Sequence, residues 1–394
     1  MTRVLIVNQY YPPDRSATAA IFRDIAQTFA ARAAAVRVLC GRPSYSSARR
    51  IPWRFLSRET ADGVPVERVG STSMDRRKLI DRIINYSSFG VLAAARSLLI
   101  RRPDVVVCGS DPPFSVWVSL IAARGRPVVY ALQDLHPEFA VVSGMMRPGL
   151  VERALERVHR AGLKRCHTIV CLGETMRDRV IAKGIPPERV KVVPHGAWPP
   201  KHEPDPFLVE RLRGDKEFLV VHAGNLGGAG AWETLVEAAE KLPSEVGMLF
   251  VGGGFRETGM HPIPVIPFRP EDEVPSVMKA GDLQVVTLRS GMEGLVVPSK
   301  FYSIIANGRP VLAVVPSGSD IARVVEHVEC GIVADPADPA DVLMKILWAK
   351  ENPGELERMA ANALTASRGF DRGQALASLA DLVLAVGKRS SGEQ

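Results

Sequence analysis

Ser299 and Lys300 stand side by side in S-G-M-E-G-L-V-V-P-S-K-F-Y-S-I-I-A-N-G-R-P-V-L-A-V, residues 290–314, which reads as loop, helix and buried strand. Gly291 and Gly294 keep the loop supple, and Pro298 suits a first helical turn, where a missing N–H costs little. A hydroxyl, an ammonium and free N–H groups at one helix start make a seat for a diphosphate. Glu293 precedes that seat, and a carboxylate with two oxygens can take paired donors from sugar hydroxyls. Arg289, closing the apolar run L-Q-V-V-T-L, offers either a second charge against a diphosphate or a salt bridge at the rim.

Two glycine-rich turns lie upstream. Gly224, Asn225, Leu226 and Gly227 open a strand-to-helix loop, and Gly252, Gly253 and Gly254 follow the next apolar run. Neither has the spacing and following acidic residue of a nicotinamide fingerprint; two such loops at neighbouring strand ends, together with the Ser299-Lys300 helix, point to ligand binding there. In the first half, Y-A-L-Q-D-L-H-P-E-F puts Asp134, His136 and Glu138 just past a buried strand, where α/β proteins keep acid–base chemistry. His195 and His222 also follow or end strands, and the residue types leave both open between structural and functional roles.

Other chemistries lack their parts. The chain has no G-x-x-x-x-G-K-[ST], no G-x-S-x-G, no H-E-x-x-H and no D-x-D pair after a strand. It carries 394 residues, 46% of them hydrophobic and 24% charged, with a formal net charge of +7. Basic clusters at Arg49-Arg50, Arg76-Arg77-Lys78 and Arg101-Arg102 have no interleaved aromatics and no zinc-finger spacing, which argues against nucleic acid as a partner. Phosphorylated substrates or an anionic membrane surface suit the charge better. Five scattered cysteines without a C-x-x-C pair read as buried thiols in a reducing compartment, and the amino terminus reads as a strand rather than a leader, so a cytoplasmic protein is expected.

The elements that must hold these residues alternate strand and helix. Strands are expected at 4–8, 36–39, 105–108, 128–132, 168–172 and 190–193, then at 218–223, 247–251, 265–266, 283–287, 311–315 and 331–333. Helices fall between them, at 17–33, 78–100, 150–164, 174–183, 232–241 and 338–349 among others. Such alternation predicts parallel, doubly wound sheets. The Pro-rich stretch at 194–206 interrupts it once and is the natural linker. Two Rossmann-like domains facing a cleft follow, at 1–200 and 201–370, with a last helix from about 371 to 387 and a disordered tail. Residues 75–102 form a basic, strongly apolar helix, either an amphipathic core helix with a solvated face or an anchor on a membrane surface.

Taken together these segments resemble the retaining, nucleotide-sugar-dependent glycosyltransferases of family 4, with the GT-B architecture. Y-Y-P-P-D, Q-D-L-H-P-E and V-V-P-H-G-A are similar to the family's first-domain loops; H-A-G-N-L-G-G, F-V-G-G-G, M-E-G-L-V-V-P-S-K-F-Y and I-A-N-G-R-P-V resemble its donor-domain loops. The resemblance implies transfer of a sugar from a UDP- or GDP-type donor, without metal or other cofactor, to a glycan, lipid-linked or small-molecule hydroxyl. It implies that Lys300 and Ser299 meet the diphosphate, Glu293 the sugar, and residues 224–227 the phosphates, while the final helix crosses back to the first domain. The family's pair of glutamates with seven residues between them is broken: Phe301 occupies the second position, and Ser303 stands where many relatives keep a ribose-binding glutamate. The first loop is S-A-T-A instead of glycine-rich, and Gly227, Gly228 and Trp232 replace the usual cations after the first donor-domain strand. A GT-B epimerase or phosphorylase, or a non-catalytic binding homologue, shares enough of this pattern to stand as an alternative.

Overall fold

The computed structural model describes residues 1–14, 16–32, 34–43, 54–74, 79–254 and 259–392. The basic clusters Arg49-Arg50 and Arg76-Arg77-Lys78 lie outside them. The chain divides into two compact units. One comprises Met1–Val141, Met145–Val193 and the chain from Leu376 onward; the other comprises Val142–Gly144 and Pro194–Ala375.

The first unit carries β1 (Arg3–Val7), β2 (Ala35–Gly41), β3 (Leu56–Ala61), β4 (Val64–Val69), β5 (Val105–Gly109), β6 (Val128–Ala131), β7 (Thr168–Cys171) and β8 (Val190–Val192). Their order across the sheet is β3-β4-β2-β1-β5-β6-β7-β8, parallel except that β3 runs against β4. Every residue of β5, β6 and β7 is buried, as expected of strands covered on both faces. Helix α1 (Ala17–Ala31) starts where the Ser16 hydroxyl accepts the Ala19 N–H at 3.0 Å, and it turns Phe22, Ile25 and Phe29 onto the sheet. Burying each such side chain is worth about 2–3 kcal/mol. Helices α2 (Leu79–Leu98), α3 (Ser115–Ala123), α4 (Glu138–Val142), α5 (Leu150–Leu163) and α6 (Glu174–Ala182) complete the wrapping.

In the second unit α7 (Pro206–Arg213), β9 (Phe218–Asn225), α8 (Trp232–Ala239), β10 (Val246–Gly253), β11 (Val265–Ile266), α9 (Val274–Ala280), β12 (Leu283–Thr287), α10 (Lys300–Ala306), β13 (Val311–Val314), α11 (Asp320–Val328), β14 (Gly331–Ala334), α12 (Pro339–Glu351) and α13 (Pro353–Ser367) follow in order. The sheet is parallel throughout, β11-β10-β9-β12-β13-β14. The chain winds outward in both directions from β1–β5 in one sheet and from β9–β12 in the other. Ligands of such sheets sit beyond the carboxyl ends of the strands at these reversals.

Each strand expected from the apolar runs is present. The hairpin β3–β4 was not anticipated: β3 reads L-S-R-E-T-A and is largely solvent-facing, so it lacks the apolar signature. The last helix, α14 (Arg372–Ser391), continues past the expected end at 387, so the segment expected to be a disordered tail is helical to Ser391. Its Leu376, Leu379, Ala380 and Val383 enter the core of the first unit, which is the crossing back that the fold class requires.

Candidate functional site

In the second unit, α10 buries Phe301, Tyr302, Ile304 and Ile305. That fixes the rotation of the helix and leaves Lys300 and Ser303, three residues apart, on its less buried side. The helix begins two residues later than a start at Pro298 would give: Ser299 is the N-cap, its hydroxyl makes no capping bond, and Pro298 lies just outside. Lys300 crosses the end of β9. Its Nζ donates to the Asn225 carbonyl at 3.2 Å and lies 3.4 Å from His222 Nε2. Among the described residues no carboxylate pairs with it, and desolvation lowers its pKa from 10.5 to about 8.

Glycine at 224 is what makes this path open. Its φ is +141°, and a Cβ there would fall 1.8 Å from Lys300 Cε. Gly252, paired with Gly224 across β9 and β10, is equally confined, since its Cβ would meet the Gly224 carbonyl oxygen at 1.9 Å. Gly253 pairs with Asn225, and the Leu226 N–H donates to the Gly253 carbonyl at 3.1 Å. The Leu226 side chain is fully buried in the core, so this residue can meet a ligand only through its backbone.

His222 was left open by the sequence, and its surroundings give it a role. It is buried at 1% exposure, packed edge-on against Trp232 and Phe250 with ring centroids 4.9 and 5.4 Å away. Burial, then the nearby Lys300, hold its pKa well below the usual imidazole range, so the ring is neutral. Nδ1 lies 3.1 Å from the Val285 carbonyl and carries the proton, which leaves Nε2 as an acceptor facing Lys300. Trp232 in turn donates from Nε1 to the Gly227 carbonyl at 2.6 Å, pinning the loop over the ring.

The remaining second-unit residues divide. Glu293 is half-buried on the loop before α10, and its buried Oε2 has no hydrogen-bond partner among the described residues. Gly294, with φ +73°, turns that loop. Arg289 is engaged at the rim, donating from Nη2 to Glu233 at 3.1 Å and from Nε to the Gly230 carbonyl at 3.3 Å. Of its two expected roles, the salt bridge is the one observed.

In the first unit Asp134 follows β6. Its N–H and that of Gln133 donate to Ser110 Oγ at 3.1 and 3.2 Å, which fixes the turn. Burial, with Asp111 adding repulsion, raises its pKa from 3.8 to about 7. His136 is half-buried and held neutral, its pKa lowered to about 4 by desolvation and then by Arg82. Glu138 is otherwise occupied: it forms a salt bridge with Lys183, which also reaches Glu156 at 3.2 Å, so this carboxylate ties α4 to α5 and α6 instead of standing free. The sequence reading missed Gln9, 1% exposed at the end of β1, whose side-chain amide has no hydrogen-bond partner among the described residues. Its backbone N–H donates to the Asp111 carbonyl at 3.2 Å, beside the Asp134 cluster. The only hint was a polar N-Q pair closing a buried strand.

Two parallel-sheet Rossmann-like units, with the last helix returning to the first, define the GT-B class of protein. Solved structures agree across the whole chain. Sucrose-phosphate synthase from Thermosynechococcus elongatus has a TM-score of 0.76 at 14% identity, covering 97% of this chain and 98% of that one. Anabaena Alr3699/HepE, solved with UDP and with UDP-glucose, has a TM-score of 0.71 at 18% identity, covering 98% and 100%. Residues 16–196 match the Glycosyl transferase 4-like domain. The chain is 22% identical over 354 residues to the putative colanic acid biosynthesis glycosyl transferase WcaI of Escherichia coli (strain K12), 82% of this chain and 86% of that protein. It is 27% identical over 266 residues to the probable glycosyltransferase WbjE of Pseudomonas aeruginosa, 61% and 64% of the two chains. Residues 16–196 thus carry a Glycosyl transferase 4-like domain, and most of the chain is similar to curated glycosyltransferases.

Proposed function

We propose that this glycosyltransferase moves a sugar from a nucleoside-diphosphate sugar, of UDP or GDP type, to a hydroxyl acceptor, without a metal ion and with retained anomeric configuration. The observation that carries the reading is Lys300: an ammonium held across a glycine at a strand end, with no carboxylate pairing with it among the described residues. When the bond between sugar and diphosphate breaks, negative charge grows on the leaving oxygen, and a preplaced cation stabilises that charge more than it stabilises the ground state. Backbone at Gly224, Asn225 and Gly253 approaches the phosphates, Ser299 and Ser303 lie beside the nucleotide, and Glu293 Oε2 accepts from a sugar hydroxyl. UDP and UDP-glucose bound to HepE support a uridine donor for this chain. On the first unit Asp134, with a pKa of about 7, is suited to take the proton of an acceptor hydroxyl, with His136 lining the same loop. The acceptor class is a growing glycan, the role the name of WcaI suggests, and a lipid-linked one would bring the enzyme to the inner face of a membrane.

The test is thermal unfolding with UDP, UDP-glucose, GDP and GDP-mannose, followed by transfer assays on Lys300→Ala. A true donor at 100 times its dissociation constant adds about 2.7 kcal/mol to stability. Loss of Lys300 should cost about 2–4 kcal/mol in kcat/KM. Transfer within a few-fold of the parent overturns the role, and conversion of donor without any acceptor identifies an epimerase instead.

A further inference from the structure

Helix α2 buries Phe89 and Ala93 on its inner face and also turns a second apolar stripe outward, which an ordinary surface helix does not. Asn85 and Ser97 are buried and Arg96 donates to Glu67, whereas Ile80, Ile83, Ile84, Val91 and Leu98 are between 39% and 71% exposed. Their spacing, together with exposed Ala95, is that of one helical face. Helix α5 repeats the arrangement: Leu150, Val151, Leu155 and Val158 are 44% to 83% exposed. Helix α3 lies against both, adds exposed Ile121, and is tied to α5 by the Trp117 Nε1–H bond to the Val158 carbonyl at 3.2 Å. Scattered exposed aliphatics are ordinary, but two such stripes on helices that both pack against α3 are not.

Cations flank the α5 stripe. Arg147, Arg153 and Arg157 are exposed, and among the described residues none pairs with a carboxylate. Arg165 lies over the Trp117 ring at 5.2 Å. From this juxtaposition we propose that the α2–α3–α5 face docks on an anionic lipid bilayer, the aliphatic stripes entering the acyl boundary and the arginines meeting lipid phosphates. The chemistry is that of an interfacial amphipathic surface. A second copy of the chain fits less well, because a two-fold contact would set the arginine rim against itself. No helix among the described residues is long and apolar enough to cross a membrane, so the surface lies on the bilayer instead of spanning it. The inference rests on the lipid-linked branch of the proposed function, and its test does not depend on transfer.

The purified full chain is sedimented with vesicles of phosphatidylcholine alone and with 30% phosphatidylglycerol, a chosen mixture of about that content. Binding should require the anionic lipid and fall with salt. Arg147→Glu/Arg153→Glu/Arg157→Glu should weaken it about a hundredfold, and Ile83→Ser/Val91→Ser about tenfold. Both sets are solvent-facing, so circular dichroism and transfer to a water-soluble acceptor should match the parent. Equal binding by parent and variants overturns the proposal. So does a parent that ignores vesicles and runs as a dimer that the Ile83→Ser/Val91→Ser variant dissociates. If transfer fails for the parent while vesicle binding behaves as described, the docking surface stands and the transfer reading falls.

Discussion

Substituting Gly224 by alanine tests whether the glycine exists for the sake of Lys300. The added Cβ would stand 1.8 Å from Lys300 Cε, whereas carbon atoms in contact sit about 3.5–4 Å apart, so the lysine stem must move by about 2 Å. The stem end is flexible and can move, but doing so takes the ammonium away from the Asn225 carbonyl and the His222 ring. A charge displaced by that distance loses most of its directed contact with a leaving diphosphate, which corresponds to about 2–4 kcal/mol, or about 30- to 1,000-fold in kcat/KM. Alanine at φ +141° adds backbone strain of about 1–3 kcal/mol, read separately as a lower unfolding midpoint. The assay is a double-mutant cycle over Gly224→Ala and Lys300→Ala, following donor turnover and urea unfolding in parallel. If the glycine acts through the lysine, the double variant transfers no more slowly than Lys300→Ala alone. Additive losses refute the reasoning, as does a Gly224→Ala enzyme within threefold of the parent.

Three further outcomes follow from the same geometry. With Lys300 lowered to about 8, kcat/KM should fall as pH rises through about 8, and Lys300→Arg should move that limb above 10; folding stability should rise between about pH 8 and 10.5, because there the unfolded chain binds the proton that the folded one has lost. Asp134 runs the other way: its raised pKa means the folded state holds a proton that the unfolded one releases, so stability should decline from about pH 4 to 7, and Asp111→Asn should shift the acid limb of the rate profile downward, as titration of kcat/KM will show. Glu138→Gln should leave turnover within a few-fold yet cost about 1–3 kcal/mol in unfolding, discounted for partial exposure of the pair, because it leaves Lys183 poorly paired; a large rate loss at unchanged stability would return Glu138 to the chemistry.

What the sequence could carry was local. Uniform apolar runs such as V-V-V-C-G announce buried parallel strands, and Lys300, Gly224 and Gly253 stand out as candidates because glycine and lysine are informative next to a strand end. The β3–β4 hairpin escaped because its one strong signal was two residues long. Asp62 and Gly63 both take positive φ, the pairing a tight hairpin needs, but the flanking strands show no clean alternation and Pro65 stands in the second. His222 and Arg289 were undecidable for another reason. Their roles depend on partners 63 and 56 residues away in the chain, the Val285 carbonyl and Glu233, and no spacing rule reaches that far.

The departure at Ser303 becomes intelligible at this level. Position 303 is one turn beyond Lys300 on the same side of α10, the separation at which a lysine and a glutamate attract each other. A glutamate there would share the ammonium's charge. Serine cannot, and the carbonyl and neutral imidazole that do contact Lys300 Nζ carry no net charge. Desolvation then raises the cost of holding the ammonium, which is the depressed pKa, and on the proposed function a diphosphate would relieve that cost. On the proposed function, serine at 303 forgoes a ribose contact and leaves the positive charge of Lys300 for the departing diphosphate.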